Sequence, residues 1–248
     1  AYQASVRHGG ALELRFLAWA FWHSATNTQA KLKSEPRVNA ALNFGSPQFE
    51  EWLSRLPLRK GQTQLSLVPS YEAWAIHLQT ESDYTDYWKH PSLNPSLHWN
   101  NFPDVPILLV GGWYDSYTRG QFENFIGMGE GKNGPVRLLM GPWTHGKYSE
   151  SFSGELDFGI ESIVDHNEMR LAWFDHWLKQ MNSEVINWSP VRIFTMGTGS
   201  HQKERANGTC RIDYGGYWRN EHEWPTTDTM MTNYYLQDNL ILEKSNIY

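Results

Sequence analysis

The fold class is decided by one stretch, Val105-Pro106-Ile107-Leu108-Leu109-Val110-Gly111-Gly112. It is a short, continuous apolar run that ends in two glycines, which is typical of a strand buried on both faces of a parallel sheet. A second run of the same kind lies at Val136-Arg137-Leu138-Leu139-Met140-Gly141. The two runs therefore predict two neighbouring strands of a buried sheet.

Helical spacing appears after each of these predicted strands. Phe122, Phe125 and Ile126 form a stripe at helical spacing that glycines close, and a longer helix is predicted over residues 167–181. Strand, helix, strand and helix in succession are the pattern of an α/β fold.

Residues 1–103 are predicted to form helices joined by loops, with no convincing strand. One apolar helical face consists of Leu12, Phe16, Trp19 and Ala20. A second helix is predicted to start at Ser46-Pro47 and to stop at Pro57, with an apolar face of Phe49, Trp52, Leu53 and Leu56. A third patch carries Tyr84, Tyr87 and Trp88. Helix packing accounts for most of these aromatic residues.

The pattern changes again after Pro190. Residues 191–196 are predicted to form a strand, followed by a polar loop through Cys210 and by short strands at 217–218 and 234–236. We interpret this segment as the start of an all-β domain that the chain does not complete.

Composition excludes several classes of protein. The 248 residues carry a formal charge of −6 and no dense run of Lys or Arg, so nucleic-acid binding is not expected. One cysteine rules out an internal disulfide framework and a Cys-rich zinc site. The longest apolar stretch, residues 11–22, contains two charges and is too short to span a bilayer, so no membrane partner is expected. Thirteen Trp residues suggest an aromatic core or the wall of a pocket. Because the first residue is Ala rather than Met, we interpret the chain as a piece of a longer protein.

Asp115 and His145 are the residues best placed for chemistry. Each follows the end of a predicted strand, where ligands and catalytic groups gather in open α/β sheets. A carboxylate can orient an imidazole and stabilise its charged form, while the other ring nitrogen accepts a proton from a nucleophile. The chain order Asp then His is that of α/β-hydrolases, whose Ser comes first. The alternative is that Asp115 forms a turn or caps a helix and His145 is an ordinary loop residue.

Several motifs resemble one family, the cocaine-esterase and X-prolyl dipeptidyl-peptidase superfamily of serine hydrolases. Residues 105–115 resemble its acid-bearing strand, and Gly141-Pro142-Trp143-Thr144-His145-Gly146 resembles its histidine loop. Residues 173–179 and 190–197 are similar to its post-histidine helix and to the entry of its jelly roll, and residues 218–219 and 223–225 fit the segment after that entry. Gly9-Gly10-Ala11-Leu12 is similar to the start of its helical cap.

The resemblance implies an α/β-hydrolase core with a helical cap and a C-terminal β jelly roll. By it, residues 1–103 are the cap region, 104–185 the back half of the core and 186–248 the start of a truncated jelly roll. Asp115 is then the triad acid and His145 the general base. Tyr117 falls where the family places an aromatic residue against the acyl group, and Trp19 and Trp22 are further candidates for substrate binding. The implied substrate is a small acyl ester or a short peptide, with no cofactor and no metal.

The sequence departs from the family pattern at the nucleophile. A Gly-x-Ser-x-x-Gly turn is absent, and Ser5, Ser24 and Ser116 do not lie in such a turn. The family serine lies before the cap, so this chain supplies only Asp and His and is expected to be inactive alone. Missing central strands are also expected to leave one edge of the sheet to be covered by an upstream segment or by a second copy in a homo-oligomer.

Other constellations are weaker. Asp165, His166 and Glu168, with Asp175 and His176, lack the spacing of a metal site. Glu221, Glu223 and Asp228 near Trp218 and Trp224 could mimic a glycosidase pair, but they lie on a polar loop. Two alternatives to the hydrolase therefore stay open: a non-catalytic, aromatic-rich carbohydrate-binding module, and a degenerate hydrolase homologue kept for structure.

Overall fold

The computed structural model describes residues 2–27, 36–42, 48–206, 209–236 and 242–244. Contacts divide the chain into two units. The helical unit comprises Ala1–Pro103 and Asp115–Glu130, and the sheet unit comprises Asp104–Tyr114 and Gly131–Tyr248. No helix in these described ranges has the length and apolar character needed to cross a membrane. The division into residues 1–103, 104–185 and 186–248 stays a prediction.

The helical unit begins with a π-helix at Tyr2–Val6 and a two-stranded antiparallel hairpin, β1 (Arg7–His8) and β2 (Ala11–Leu12). Its α-helices are α1 (Arg15–Asn27), α2 (Pro36–Leu42), α3 (Gln48–Ser54), α4 (Pro69–Thr80), α5 (Asp86–Lys89) and α6 (Thr118–Gly129). Short 3₁₀ helices lie at Gln64–Leu67, Pro95–Leu97 and Trp99–Asn101.

The core of the helical unit forms around α1. Leu17, Ala20 and Phe21 are buried in one cluster with Leu65 and Ala75. Full burial of a Leu or Phe side chain contributes about 1.5–3 kcal/mol, so this cluster holds α1 against α4. The buried Arg7 guanidinium donates to the carbonyl oxygens of Leu78 at 2.6 Å and Gln79 at 2.9 Å, where the end of α4 favours a positive charge.

Three expectations for residues 1–103 differ from the structure. Leu12 lies in β2 rather than in a helix, because Gly9 and Gly10, with φ of 59° and 91°, turn the chain into the hairpin and delay α1 to Arg15. The second predicted helix ends at Ser54, so Leu56 lies outside it, and its predicted start at Ser46-Pro47 lies outside the described residues. The third patch is a single turn, α5.

The central sheet of the sheet unit has four strands in the order β10-β7-β4-β3. They are β3 (Ile107–Gly112), β4 (Val136–Gly141), β7 (Val191–Met196) and β10 (Gly216–Glu221). The pairs β3–β4 and β4–β7 are parallel and β7–β10 is antiparallel. The structure is therefore mixed α/β, as predicted, with both apolar runs in neighbouring strands.

Helix α7 (His166–Lys179) follows β4 in the chain, where a helix was predicted. The Asp165 carboxylate caps it by accepting hydrogen bonds from the N–H groups of Asn167 and Glu168, each at 3.0 Å. Trp173 is its buried residue. Short 3₁₀ helices at Ile160–Ser162 and Glu184–Asn187 lie on either side of α7 in the chain.

The predicted polar loop through Cys210 is wrong. That segment forms an antiparallel hairpin, β8 (Lys203–Ala206) and β9 (Thr209–Asp213), and Cys210 is exposed within β9. A second four-stranded sheet has the order β5-β6-β9-β8, with β5 at Phe152–Ser153 and β6 at Leu156–Asp157. A last pair joins β11 (Tyr235–Leu236) to β12 (Leu242–Glu243).

The strand β7 was predicted to open a separate β domain. It forms where expected, but it pairs in parallel with β4 and so extends the α/β sheet. At the other side of that sheet β3 is an edge strand: within the part of the chain that the structure describes, its only paired neighbour is β4.

Candidate active site

Two loops leave the same edge of the sheet, one after β3 and one after β4. Gly112 and Gly141, the last residues of the two strands, are direct partners in the parallel register. Beyond them the Trp113 N–H donates to the Gly141 carbonyl oxygen at 2.8 Å, and the Tyr114 N–H donates to the Trp143 carbonyl oxygen at 3.1 Å. The first loop is therefore tied to the second as far as Tyr114, the residue directly before Asp115.

This close approach requires glycine at position 112. A Cβ at Gly112 would lie 2.1 Å from the Trp143 carbonyl oxygen, and a Cβ at Gly141 would lie 2.5 Å from the Trp143 ring. Both distances are far inside van der Waals contact. Gly112 thus allows the backbones of the two loops to come together, while Gly141 leaves room for the Trp143 ring within its own loop.

The loop that carries His145 is anchored by the residue two positions before it. Trp143 is 1% exposed, and its indole N–H donates to the Ser162 carbonyl oxygen at 3.0 Å. The Ser153 hydroxyl donates to the Pro142 carbonyl oxygen at 2.7 Å. These contacts anchor the residues before His145 to the rest of the sheet unit, and His145 itself is exposed to solvent.

His145 lies at the tip of a tight turn. The Lys147 N–H donates to the Thr144 carbonyl oxygen at 3.2 Å, which closes a turn around His145 and Gly146. Gly146 has φ of 74°, a conformation that favours glycine. The imidazole is exposed. The turn therefore presents a solvent-accessible imidazole after the carboxyl end of β4.

Asp115 forms the turn that starts α6. One carboxylate oxygen, Oδ1, accepts a hydrogen bond from the Tyr117 N–H at 3.0 Å, and the Asp115 carbonyl oxygen accepts one from the Thr118 N–H at 3.2 Å. The side chain is half-buried. The alternative expected from the sequence, a turn-forming Asp, is thus present in the structure, and it holds the carboxylate in a defined orientation.

Tyr117 lies in the helical unit beside a cationic side chain. The Arg15 guanidinium is 5.0 Å from the centre of its ring, within range of a cation–π interaction. Tyr117 also lines a cavity of about 250 Å³, together with Ser5, Gln121 and Asn124. An aromatic wall on a polar cavity is suited to holding a substrate group, and this role of Tyr117 stays a prediction.

Trp19 and Trp22 lie on α1 and are 40% and 48% exposed. The Trp19 ring stacks on His23 at 3.6 Å between centroids and contacts Trp74 at 5.3 Å, and burial lowers the pKa of His23. Neither Trp19 nor Trp22 lines the cavity of Tyr117. Their predicted part in substrate binding is not tested by these contacts.

The three serines considered from the sequence are buried, either as whole residues or at the hydroxyl. Ser5 is 4% exposed, and Ser24 is fully buried with its hydroxyl donating to the Phe21 carbonyl oxygen at 2.7 Å. Ser116 follows Asp115, and its hydroxyl oxygen is buried. A nucleophile has to reach substrate, so Ser24 and Ser116 do not suit that role, whereas Ser5 lines the cavity of Tyr117.

The weaker constellations form local contacts. Glu221 pairs with Arg219, and Asp228 accepts a hydrogen bond from the Thr226 hydroxyl at 2.7 Å. Within the described ranges no group of three or more His, Cys, Asp or Glu side chains is placed to hold a metal ion. Sequence reasoning missed the anchoring by Trp143 and the role of Gly112, although both residues lie in the motifs that carry Asp115 and His145.

Comparison with known proteins decides the family. Residues 1–147 match the model of the X-Pro dipeptidyl-peptidase (S15) family, a segment that includes both Asp115 and His145. The chain belongs to this family. The resemblance identified from the motifs is therefore confirmed.

Relatives of this S15-family chain are much longer than the chain itself. Cocaine esterase from Rhodococcus sp. (strain MB1 Bresler) is 30% identical over 135 residues, which cover 53% of the chain and 20% of that protein. Two crystal structures of a CocE/NonD family hydrolase from Staphylococcus aureus match at 16% and 15% identity with TM-scores of 0.44 and 0.45. They cover 72% and 80% of the chain but only 26% and 28% of the hydrolase.

Proposed function

We propose that this chain supplies the acid and the base of a serine hydrolase, with Asp115 as the acid and His145 as the general base. The single observation that carries the proposal is the parallel register of Gly112 with Gly141. It brings side by side the ends of β3 and β4, the strands that precede Asp115 and His145. The match to the S15 family over residues 1–147 supports it, since that segment contains both residues.

In this mechanism the two side chains act as one unit. The Asp115 carboxylate accepts a hydrogen bond from one ring nitrogen of His145 and stabilises the imidazolium that forms. The other ring nitrogen removes the proton from a serine hydroxyl as its oxygen attacks the substrate carbonyl, and later returns that proton to the leaving group. The serine and the groups that stabilise the oxyanion belong to the larger protein, because its relatives are several times longer than the matched segment.

The proposed substrate is a small acyl ester or a short peptide with a proline-specific cleavage site. Support comes from two names: that of one relative, cocaine esterase, and that of the family, X-Pro dipeptidyl-peptidase. Tyr117, with Trp19 and Trp22, is proposed to contact the acyl or peptide group. The proposed architecture is a partial α/β-hydrolase core with a helical cap at residues 1–103 and the start of a jelly roll at 186–248.

A fluorophosphonate probe, which labels activated serines, tests the proposal. The isolated chain is expected to remain unlabelled, whereas mixing it with the upstream polypeptide of the same protein should produce labelling of a serine there. His145→Gln should abolish that labelling, and His222→Gln, a change of an exposed histidine on the C-terminal segment, should not.

Two results would contradict this account. Labelling of Ser5, Ser24 or Ser116 in the isolated chain would reveal a different nucleophile. Failure of the complete protein to react, although folded, would instead identify a degenerate homologue kept for structure.

A further inference from the structure

A cavity of about 280 Å³ lies in the sheet unit, on one face of the central sheet. Its lining includes one residue from each of four strands: Leu108, Arg137, Arg192 and Asn220. Residues of α7 and of the chain after it, among them Met169 and Trp188, form the rest of its wall. Polar and apolar groups thus meet in one recess, which a small ligand could occupy.

The strand register places both arginines on this face. Arg137 is the partner of Leu108, Leu139 is the partner of Arg192, and Arg192 is the partner of Asn220. Because Arg137 and Leu139 are two residues apart in one strand, they point to the same side. Arg137 and Arg192 are therefore diagonal neighbours on parallel strands, with roughly 8 Å between their Cα positions, which is close enough for both guanidiniums to reach one ligand.

The charge of this pair is not balanced by the surrounding protein. The lining of the cavity contains no Asp or Glu, and within the described ranges neither arginine has a carboxylate within ion-pair distance. The carboxylate of Glu184 accepts a hydrogen bond from the side chain of Asn187, a lining residue, at 3.0 Å. Like charges on neighbouring strands are destabilising, so the pair favours a negative ligand.

Each guanidinium also has a feature of its own that favours an anion. Arg137 is half-buried, and its Nε is buried without a hydrogen-bond partner among the described residues. Arg192 is exposed, and its guanidinium lies 4.8 Å from the centre of the Trp218 ring, a contact that helps to hold it in place. Burial lowers the pKa of Arg137. A buried donor without a partner is costly, and an anion would supply the missing acceptor.

We propose that this cavity binds a small oxyanion, a carboxylate or a phosphate group, between Arg137 and Arg192. Planar guanidiniums pair with both kinds of group through two parallel hydrogen bonds. Arg137 is the second residue of β4, whereas His145 follows the last residue of that strand. The site therefore lies at the amino end of the sheet and binds its ligand independently of the proposed acid and base.

Binding is tested on the 248-residue chain with two probes, inorganic phosphate and acetate, at an ionic strength held constant with sodium chloride. Thermal unfolding and isothermal titration calorimetry are expected to show a saturable interaction with at least one probe, since a ligand that binds only the folded state raises Tm. Arg137→Gln and Arg192→Gln should each weaken the apparent affinity about tenfold or more. A comparison of the two affinities shows whether the site prefers a tetrahedral oxyanion, represented by phosphate, or a planar carboxylate, represented by acetate.

Arg219→Gln is the matched control. Arg219 lies on β10 next to Asn220, so it points to the other face of the same sheet, and it is paired with Glu221. The substitution changes the net charge by the same amount but should leave binding unchanged. If Arg137→Gln fails to fold, Arg192→Gln decides, because Arg192 is exposed. The proposal is overturned if neither probe saturates, or if Arg192→Gln and Arg219→Gln respond equally, which would indicate a general effect of salt.

Discussion

The main-chain N–H of Tyr114 donates to the carbonyl oxygen of Trp143 at 3.1 Å. Asp115 follows the donor directly, and His145 lies two residues after the acceptor. This one hydrogen bond, one residue beyond the Trp113–Gly141 bond, continues the pairing of β3 and β4 past the last residues of both strands. It holds the residue before Asp115 against the loop that carries His145, and the joint role of the two side chains stays a proposal.

Gly112→Ala should disrupt this junction. The new Cβ would lie 2.1 Å from the Trp143 carbonyl oxygen, so the backbone of one loop has to move. We expect the free energy of unfolding to fall by about 3 kcal/mol, as measured by urea denaturation. Gly129→Ala at the exposed end of α6, where a Cβ meets nothing within 4 Å, should change it by less than about 1 kcal/mol. Equal effects of the two substitutions would refute the requirement for glycine at 112.

His166 should make the stability of the chain sensitive to acid. Burial, and then the charge of Arg170, lower the pKa of His166 below its ordinary value of 6.5, while Asp165 opposes the shift. The folded chain thus binds this proton less tightly than the unfolded chain, and stability decreases as the pH falls through 6.5 toward the folded value.

The measurement compares urea midpoints of the wild type and His166→Gln at about pH 7.5 and about pH 5.5. The variant should lose less stability between the two conditions than the wild type. Parallel changes in both proteins would show that His166 does not contribute.

The edge strand β3 should promote self-association of the isolated chain. Within the described residues β3 is paired on one side only, and Ile107, Leu108, Leu109 and Val110 are half-buried rather than buried. An apolar strand edge is a template for pairing with another strand. Sedimentation velocity is expected to show a mass that rises with concentration and falls when the upstream polypeptide is added. A monomer at all concentrations would contradict this prediction.

The sequence was informative where burial leaves a local pattern. The runs that became β3 and β4 are continuous and apolar, which is the pattern that predicted two strands, although residues 107–110 of β3 are only half-buried. The motifs located Asp115 and His145 after the ends of these strands. The hairpin β8–β9 was missed because Lys203, Glu204 and Arg205 make its first strand polar. Helix α4 was missed although Tyr71, Trp74, Ala75 and Leu78 lie at helical spacing, a signal that could have revealed it.

The arginine pair shows what a single sequence does not contain. Arg137 and Arg192 come from strands that are separated in the chain by α7, and only the register between β4 and β7 brings them to one cavity. The pairing of β7 could not be read from the sequence either: the strand forms where it was predicted, but it pairs with β4. Periodicity predicts an element, whereas the partner of that element depends on long-range packing.

The central claim is that Asp115 orients His145, and the ¹⁵N chemical shifts of the His145 ring test it most directly. A carboxylate that accepts from one ring nitrogen fixes the proton there, so the wild-type ring should populate one neutral tautomer. Asp115→Asn should remove that preference. Asp104→Asn is the control, since the Asp104 carboxylate also accepts from a main-chain N–H, that of Gly134 at 2.8 Å, and should leave the ring unchanged. An identical tautomer in the wild type and Asp115→Asn would contradict the account.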